Sequence, residues 1–144
     1  MDFYFDPATY PLEKVLKMAL SREDRDFHTG CQLLIARKEH AEDEVIVVFL
    51  GLLAFYSDNL ARLASIVRFL LILPSEATAE RLFAELRRVK SNNTTRRYLS
   101  AVLDTLAEYP LSLTGDRFDE LSEDPAFSQH RRAQFRALAL GEPW

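Results

Sequence analysis

The sequence predicts an all-α fold, an array of about four helical hairpins. Three observations point there. Apolar residues recur at helical spacing, short polar turns interrupt them, and the same positions return every 34 or 35 residues. The clearest unit runs from 79 to 109. Ala79, Leu82, Phe83, Leu86 and Val89 draw one apolar stripe, with Glu80, Arg81, Glu85 and Arg88 placed off it. The turn Ser91-Asn92-Asn93-Thr94 ends that helix and caps the next, because these side chains bond nearby backbone groups. Leu99, Val102, Leu103 and Leu106 form the second stripe, and Pro110 stops it. Neither stripe is hidden by the hairpin alone, so each unit needs neighbours.

Taken in order, residues 1–11 read as an irregular arm whose Phe3, Tyr4, Phe5 and Tyr10 pack over the end of the core, with partner docking as the functional alternative. Pro11 suits a first helical turn and opens a helix to Leu20. Ser21-Arg22-Glu23-Asp24 matches a capping box and starts a second helix striped by Phe27, Cys31, Leu34 and Ile35. The acids from Glu39 to Glu44 precede the run Val45–Tyr56, whose β-branched start also suits a buried strand. Helix is the reading, since nothing else offers a strand to pair with and acids favour a helix N-terminus. Asn59 to Leu73 is apolar on every side except the line Asn59, Arg62, Ser65 and Arg68, which marks a buried helix stopped by Pro74. Beyond the clearest unit, Thr114 caps a short helix from Gly115 to Ser122, Asp124-Pro125 breaks it, and Ser128 caps a last helix to Leu140, with Gly141 as its stop. The hairpins therefore span about 12–37, 44–73, 76–109 and 115–140.

Phe83 has counterparts at Val15, Phe49 and Phe118, and Leu86 at Met18, Leu52 and Leu121. Leu103 is matched by Ile35, Phe69 and Leu138, and Arg96 by His28, Arg62 and Arg131. A constant step of this size is the mark of a solenoid, in which each hairpin buries its stripe against the next. Phe118-x-x-Leu121-x-x-Asp124-Pro125, then Arg131 and Phe135-x-x-Leu138, resembles a HEAT repeat: an acid and a proline in the turn, and an arginine early in the second helix. The unit from Leu86 through Asn92 and Asn93 to Arg96 and Leu103 is similar. The resemblance is strongest over residues 79–140. It implies a right-handed α-α superhelix, inter-repeat bonding by the arginine column, and binding on a concave face lined by second helices. The first unit departs from the pattern, with His28 where the arginine belongs.

The 144 residues fit one domain, with 48% hydrophobic and 28% charged content and few glycines or prolines for linkers. The formal charge of −4 argues against bulk nucleic-acid or anionic-membrane binding. A lone cysteine, Cys31, and an N-terminus with acids where a signal peptide needs positive charge point to a reducing cytoplasm. Val45–Tyr56 is too short to span a membrane.

No chemistry is assigned. Asp24, His28 and Cys31 lie about one helical turn apart, yet Cys31 falls on the apolar stripe, where cysteine acts as a small hydrophobe. His28, His40 and His130 lie in separate units with one cysteine to join them, so no metal site is expected, and four scattered glycines make no phosphate loop. The basic residues of the second helices are the main polar feature. The reading is a non-enzymatic, cofactor-free module that binds a protein or peptide through Arg62, Arg68, Arg97, Ser100, Asp104 and Arg132. An inhibitor or immunity-type role is one variant, and a nucleic-acid-binding protein using the arginine ladder is the alternative.

Overall fold

The computed structural model describes residues 10–144, and these are all-helical, with no strand among them. The eight helices are α1 (Leu12–Ala19), α2 (Asp24–Ala36), α3 (Lys38–Phe55), α4 (Leu60–Leu70), α5 (Glu76–Arg88), α6 (Arg96–Glu108), α7 (Leu111–Ser122) and α8 (Gln129–Ala139). None among the described residues is long and apolar enough to cross a membrane. The chain divides into two compact units, one ending at Phe69 and the other beginning at Leu70. Phe3, Tyr4 and Phe5 of the expected aromatic arm lie outside the described residues. At Tyr10 the backbone carbonyl accepts a bond from Arg37 Nη1 at 3.0 Å.

In the first unit, Pro11 fixes the entry to α1 at φ −55°, and its carbonyl takes the first helical N–H groups. The expected capping box at Ser21 does not form. Ser21 Oγ accepts from the Glu23 amide, α2 begins at Asp24, and the Asp24 carboxylate turns to Arg62 instead. α1 and α2 cross so closely that a Cβ on Gly30 would sit 2.5 Å from the Ala19 nitrogen, which explains why the crossing carries glycine. Phe27, Cys31 and Leu34 are buried beside it. The Val45 run is helical as expected. α3 starts earlier than the sequence implies but breaks at Ala41 (φ −152°, ψ 50°), so Glu42, Asp43 and Glu44 open its longer segment, where acids favour the exposed amide end. Asn59 Oδ1 caps α4 through the Arg62 amide. Leu63, Ile66 and Val67 are wholly buried, and Phe49 stacks on Phe69 at 5.9 Å.

The second unit reuses one local device. Ser75 caps α5 in a capping box with Thr78, and the Thr78 hydroxyl donates to the Leu73 carbonyl at 2.9 Å. Ahead of α6, Asn92 Oδ1 accepts from the Thr94 and Thr95 amides, while the Thr95 hydroxyl donates to the Lys90 carbonyl at 2.6 Å. Leu82, Phe83, Leu86, Leu99, Val102, Leu103 and Leu106 are buried, as their stripes imply. α7 begins at Leu111, directly after Pro110, and not at Gly115. Thr114 is therefore no cap: it is buried inside the helix with its hydroxyl on the Pro110 carbonyl. Ser128 does cap α8, through the Arg131 amide. Gly141 ends α8 at φ +73°, with its own N–H on Leu138 and that of Glu142 on Ala137, a closure that needs the left-handed conformation glycine adopts freely. Phe83 meets Phe118 edge to face at 5.0 Å, and Phe118 stacks on Phe135 at 6.1 Å, joining α5, α7 and α8.

Candidate functional site

Arg62 carried two expectations, bonding between repeats with the rest of the arginine column and a place among the partner-binding residues, and its bonds run to the turn of the preceding hairpin. It was expected on the partner-facing line, but it is only 8% exposed. Its guanidinium donates to the carbonyls of Ser21 and Arg22, to Tyr56 Oη and to Asp24, and it lies 4.7 Å from the Phe27 ring centre and 5.0 Å from that of Tyr56. Tyr56 Oη in turn donates to the Ala19 carbonyl. Arg62 thus ties down the turn between α1 and α2, while Tyr56 holds the last carbonyl of α1, and it leaves the partner-binding set. The other members of its sequence column do not repeat this. Arg96 is exposed and bonds Asn93 within its own turn, and Arg131 bonds the Gln134 side chain at 2.9 Å.

The remaining expected partner residues divide between the units. Arg68 is exposed in the first. Arg97, Ser100 and Asp104 are exposed in the second, at three- and four-residue intervals on one face of α6, and none has a side-chain bond or ion pair among the described residues. Arg132 is half-buried, with its Nε lacking a partner among those residues, beside Gln129 and Arg136.

The line Asp24-His28-Cys31 is not a relay. Asp24 pairs with Arg62, His28 packs its ring on Phe27 at 5.2 Å, and the buried Cys31 thiol is pushed up to about 12 by desolvation, against the opposing pull of Arg62. A thiol so buried stays protonated and unreactive. No cluster of three or more His, Cys, Asp or Glu side chains suited to a metal ion occurs among the described residues.

Two features escaped the sequence. Glu85, expected on the solvent side of α5, is 1% exposed and accepts bonds from Arg88 Nε and Nη2 and from Tyr98 Oη at 2.6 Å. Burial by itself would raise its pKa, but the bonds from Arg88 and Tyr98 outweigh that and hold the carboxyl below its ordinary value. Tyr98 is held protonated by burial and by the adjacent carboxylate. The signal was present: Glu85 lies three residues after Leu82 and four before Val89, within the apolar arc.

The second feature is a cleft of about 530 Å³ in the second unit, where the α5–α6 turn faces the start of α8. Leu86, Leu99, Phe127 and Phe135 make its apolar wall, and Arg87, Lys90, His130 and Arg131 its basic edge. Arg87 donates to Asp124 Oδ2 at 2.6 Å and lies 5.7 Å from the Phe127 ring centre. Asp124 also accepts from the Ala126 amide, and these bonds, that amide first, hold its carboxyl below the usual range. Phe127 sits in a turn without periodicity, so no stripe marks it. No family model, curated protein or solved structure matches the chain.

Proposed function

We propose that the chain is a non-enzymatic interaction module, an α-solenoid of HEAT-like hairpins that holds a protein or peptide partner on its second helices. The observation that carries this reading is the free face of α6. Arg97, Ser100 and Asp104 are exposed and uncommitted, while the opposite face of the same helix is buried through Leu99, Val102, Leu103 and Leu106. A helix whose inner face alone serves the fold leaves its outer face for recognition. The solenoid is supported by the buried set Val15, Phe49, Phe83 and Phe118 at steps of 34, 34 and 35 residues. The free thiol of Cys31 suits a reducing cytoplasm.

An inhibitor or immunity-type role would neutralise a basic enzyme with a surface of acids, whereas α6 mixes Arg97 with Asp104. The nucleic-acid reading needed a ladder of arginines, and Arg62 is withdrawn from it. Affinity capture from the native organism with wild type and with Ser100→Trp tests the proposal. Partners retained by wild type and lost by a variant of unchanged melting temperature support it. Identical partners, or tight binding of labelled duplex at low salt, refute it.

A further inference from the structure

The cleft of the second unit has a basic edge whose cations the fold pairs only in part. Its basic edge holds Arg87, Lys90, His130 and Arg131, and none of its lining residues is acidic, in a chain of net charge −4. Arg87 is neutralised by Asp124. Lys90 and Arg131 have no carboxylate partner among the described residues. Lys90 is exposed, but Arg131 is half-buried and its bonded partner is the neutral amide of Gln134. Burial lowers the Arg131 pKa, the mark of a cation taken partly out of water without compensation. A ligand anion would supply what the fold withholds.

We propose that this cleft receives an acidic peptide segment with an aliphatic anchor, its carboxylates meeting Lys90 and Arg131 and its anchor lying against Leu86, Leu99 and Phe127. The inference rests on the binding-module reading and adds the chemistry of the partner. The cleft volume of about 530 Å³ matches sites that enclose a few side chains. Guanidinium groups pair well with carboxylates, and apolar walls beside them give the usual division between anchor and orienting charge. Single-stranded nucleic acid fits less well, because it binds by stacking bases on open rings. Phe135 is fully buried, and the half-buried Phe127 already has Arg87 over its ring.

The test titrates the ¹⁵N-labelled chain with a fluorescein-labelled peptide in which Glu and Asp flank a Leu-Leu pair. Controls are a Lys/Arg-flanked counterpart and labelled oligo-dT. The acidic peptide alone should bind, shifting amides of Arg87–Ser91 and Ala126–Arg131, and Lys90→Glu should weaken it about tenfold, the effect of a lost charge contact worth roughly 1.4 kcal/mol. Arg131→Glu should act similarly, and Lys90, in an exposed turn, keeps the test valid if that variant misfolds. Shifts confined to Arg97, Ser100 and Asp104 would overturn this inference and leave the module reading standing. Preference for oligo-dT would overturn both, and no binding of the acidic peptide would overturn the inference.

Discussion

Replacing Arg62 by methionine keeps most of the stem and removes the donors. Four bonds go: to the Ser21 carbonyl at 2.5 Å, the Arg22 carbonyl at 2.8 Å, Tyr56 Oη at 2.8 Å and Asp24 Oδ1 at 3.1 Å. They are not equal. The Asp24 side chain is 84% exposed, so the ion pair contributes under about 1 kcal/mol. The carbonyl bonds use a charged, buried donor, and each is worth about 1.5 kcal/mol at the low end, since turn carbonyls regain some water when freed. Contact with the Phe27 and Tyr56 rings adds about 0.5–1 kcal/mol. The loss should total about 3–5 kcal/mol, a fall in Tm of roughly 10 °C for a chain of this length. Urea and thermal unfolding followed by circular dichroism measures it, with Asp24→Asn alongside, for which a change below about 1 kcal/mol is expected. Equal losses for Arg62→Met and Asp24→Asn would show that the exposed ion pair, and not the bonds to the turn between α1 and α2, holds the unit together. A melting temperature unchanged in Arg62→Met would refute the argument outright.

Gly30→Ala and Gly51→Ala should move stability in opposite directions. At Gly30 the new methyl meets the Ala19 backbone at 2.5 Å, which forces α1 and α2 apart at about 1–3 kcal/mol, whereas at Gly51 nothing lies within 4 Å and better helix propensity gains about 0.5–1 kcal/mol. Denaturant midpoints check both, and a stabilising Gly30→Ala would show that the crossing is looser than described. The buried Glu85 ties stability to pH. Its folded pKa lies below the ordinary 4.5, so the stability it contributes is fully present above that value and is lost as pH falls through the folded one. Midpoints measured from pH 6 down to about 3 should fall less steeply for Glu85→Gln than for wild type. Parallel curves would remove Glu85 as the cause.

Much of the fold was legible because it depends on periodicity. Stripes such as those at Phe27, Phe49, Phe83 and Leu103 mark α2, α3, α5 and α6, and Ser128 caps α8 as a short polar side chain does. What could not be read was the fate of long polar side chains. His28, Arg62, Arg96 and Arg131 share a repeat column, yet Arg62 is buried, Arg96 exposed and Arg131 half-buried. A guanidinium reaches several residues away, so its environment is set by tertiary neighbours such as Tyr56 and the Ser21 carbonyl, which spacing does not encode. Thr114 failed for a related reason: Pro110 starts a helix as well as any cap, and two valid signals competed four residues apart. The cleft was invisible because Phe127 and Lys90 belong to separate turns.

The threonine braces at Thr78 and Thr95 have a kinetic consequence. Each ties a helix start to a carbonyl five residues back, a loop that closes in well under a microsecond. The Arg62 bonds span 38 to 41 residues and form only once α1, α2 and α4 have met. Thr78→Val should therefore slow folding, while Arg62→Met should chiefly hasten unfolding. α5 and α6 can start from their own turns, whereas the turn between α1 and α2 must wait for α4 to bring Arg62 to it.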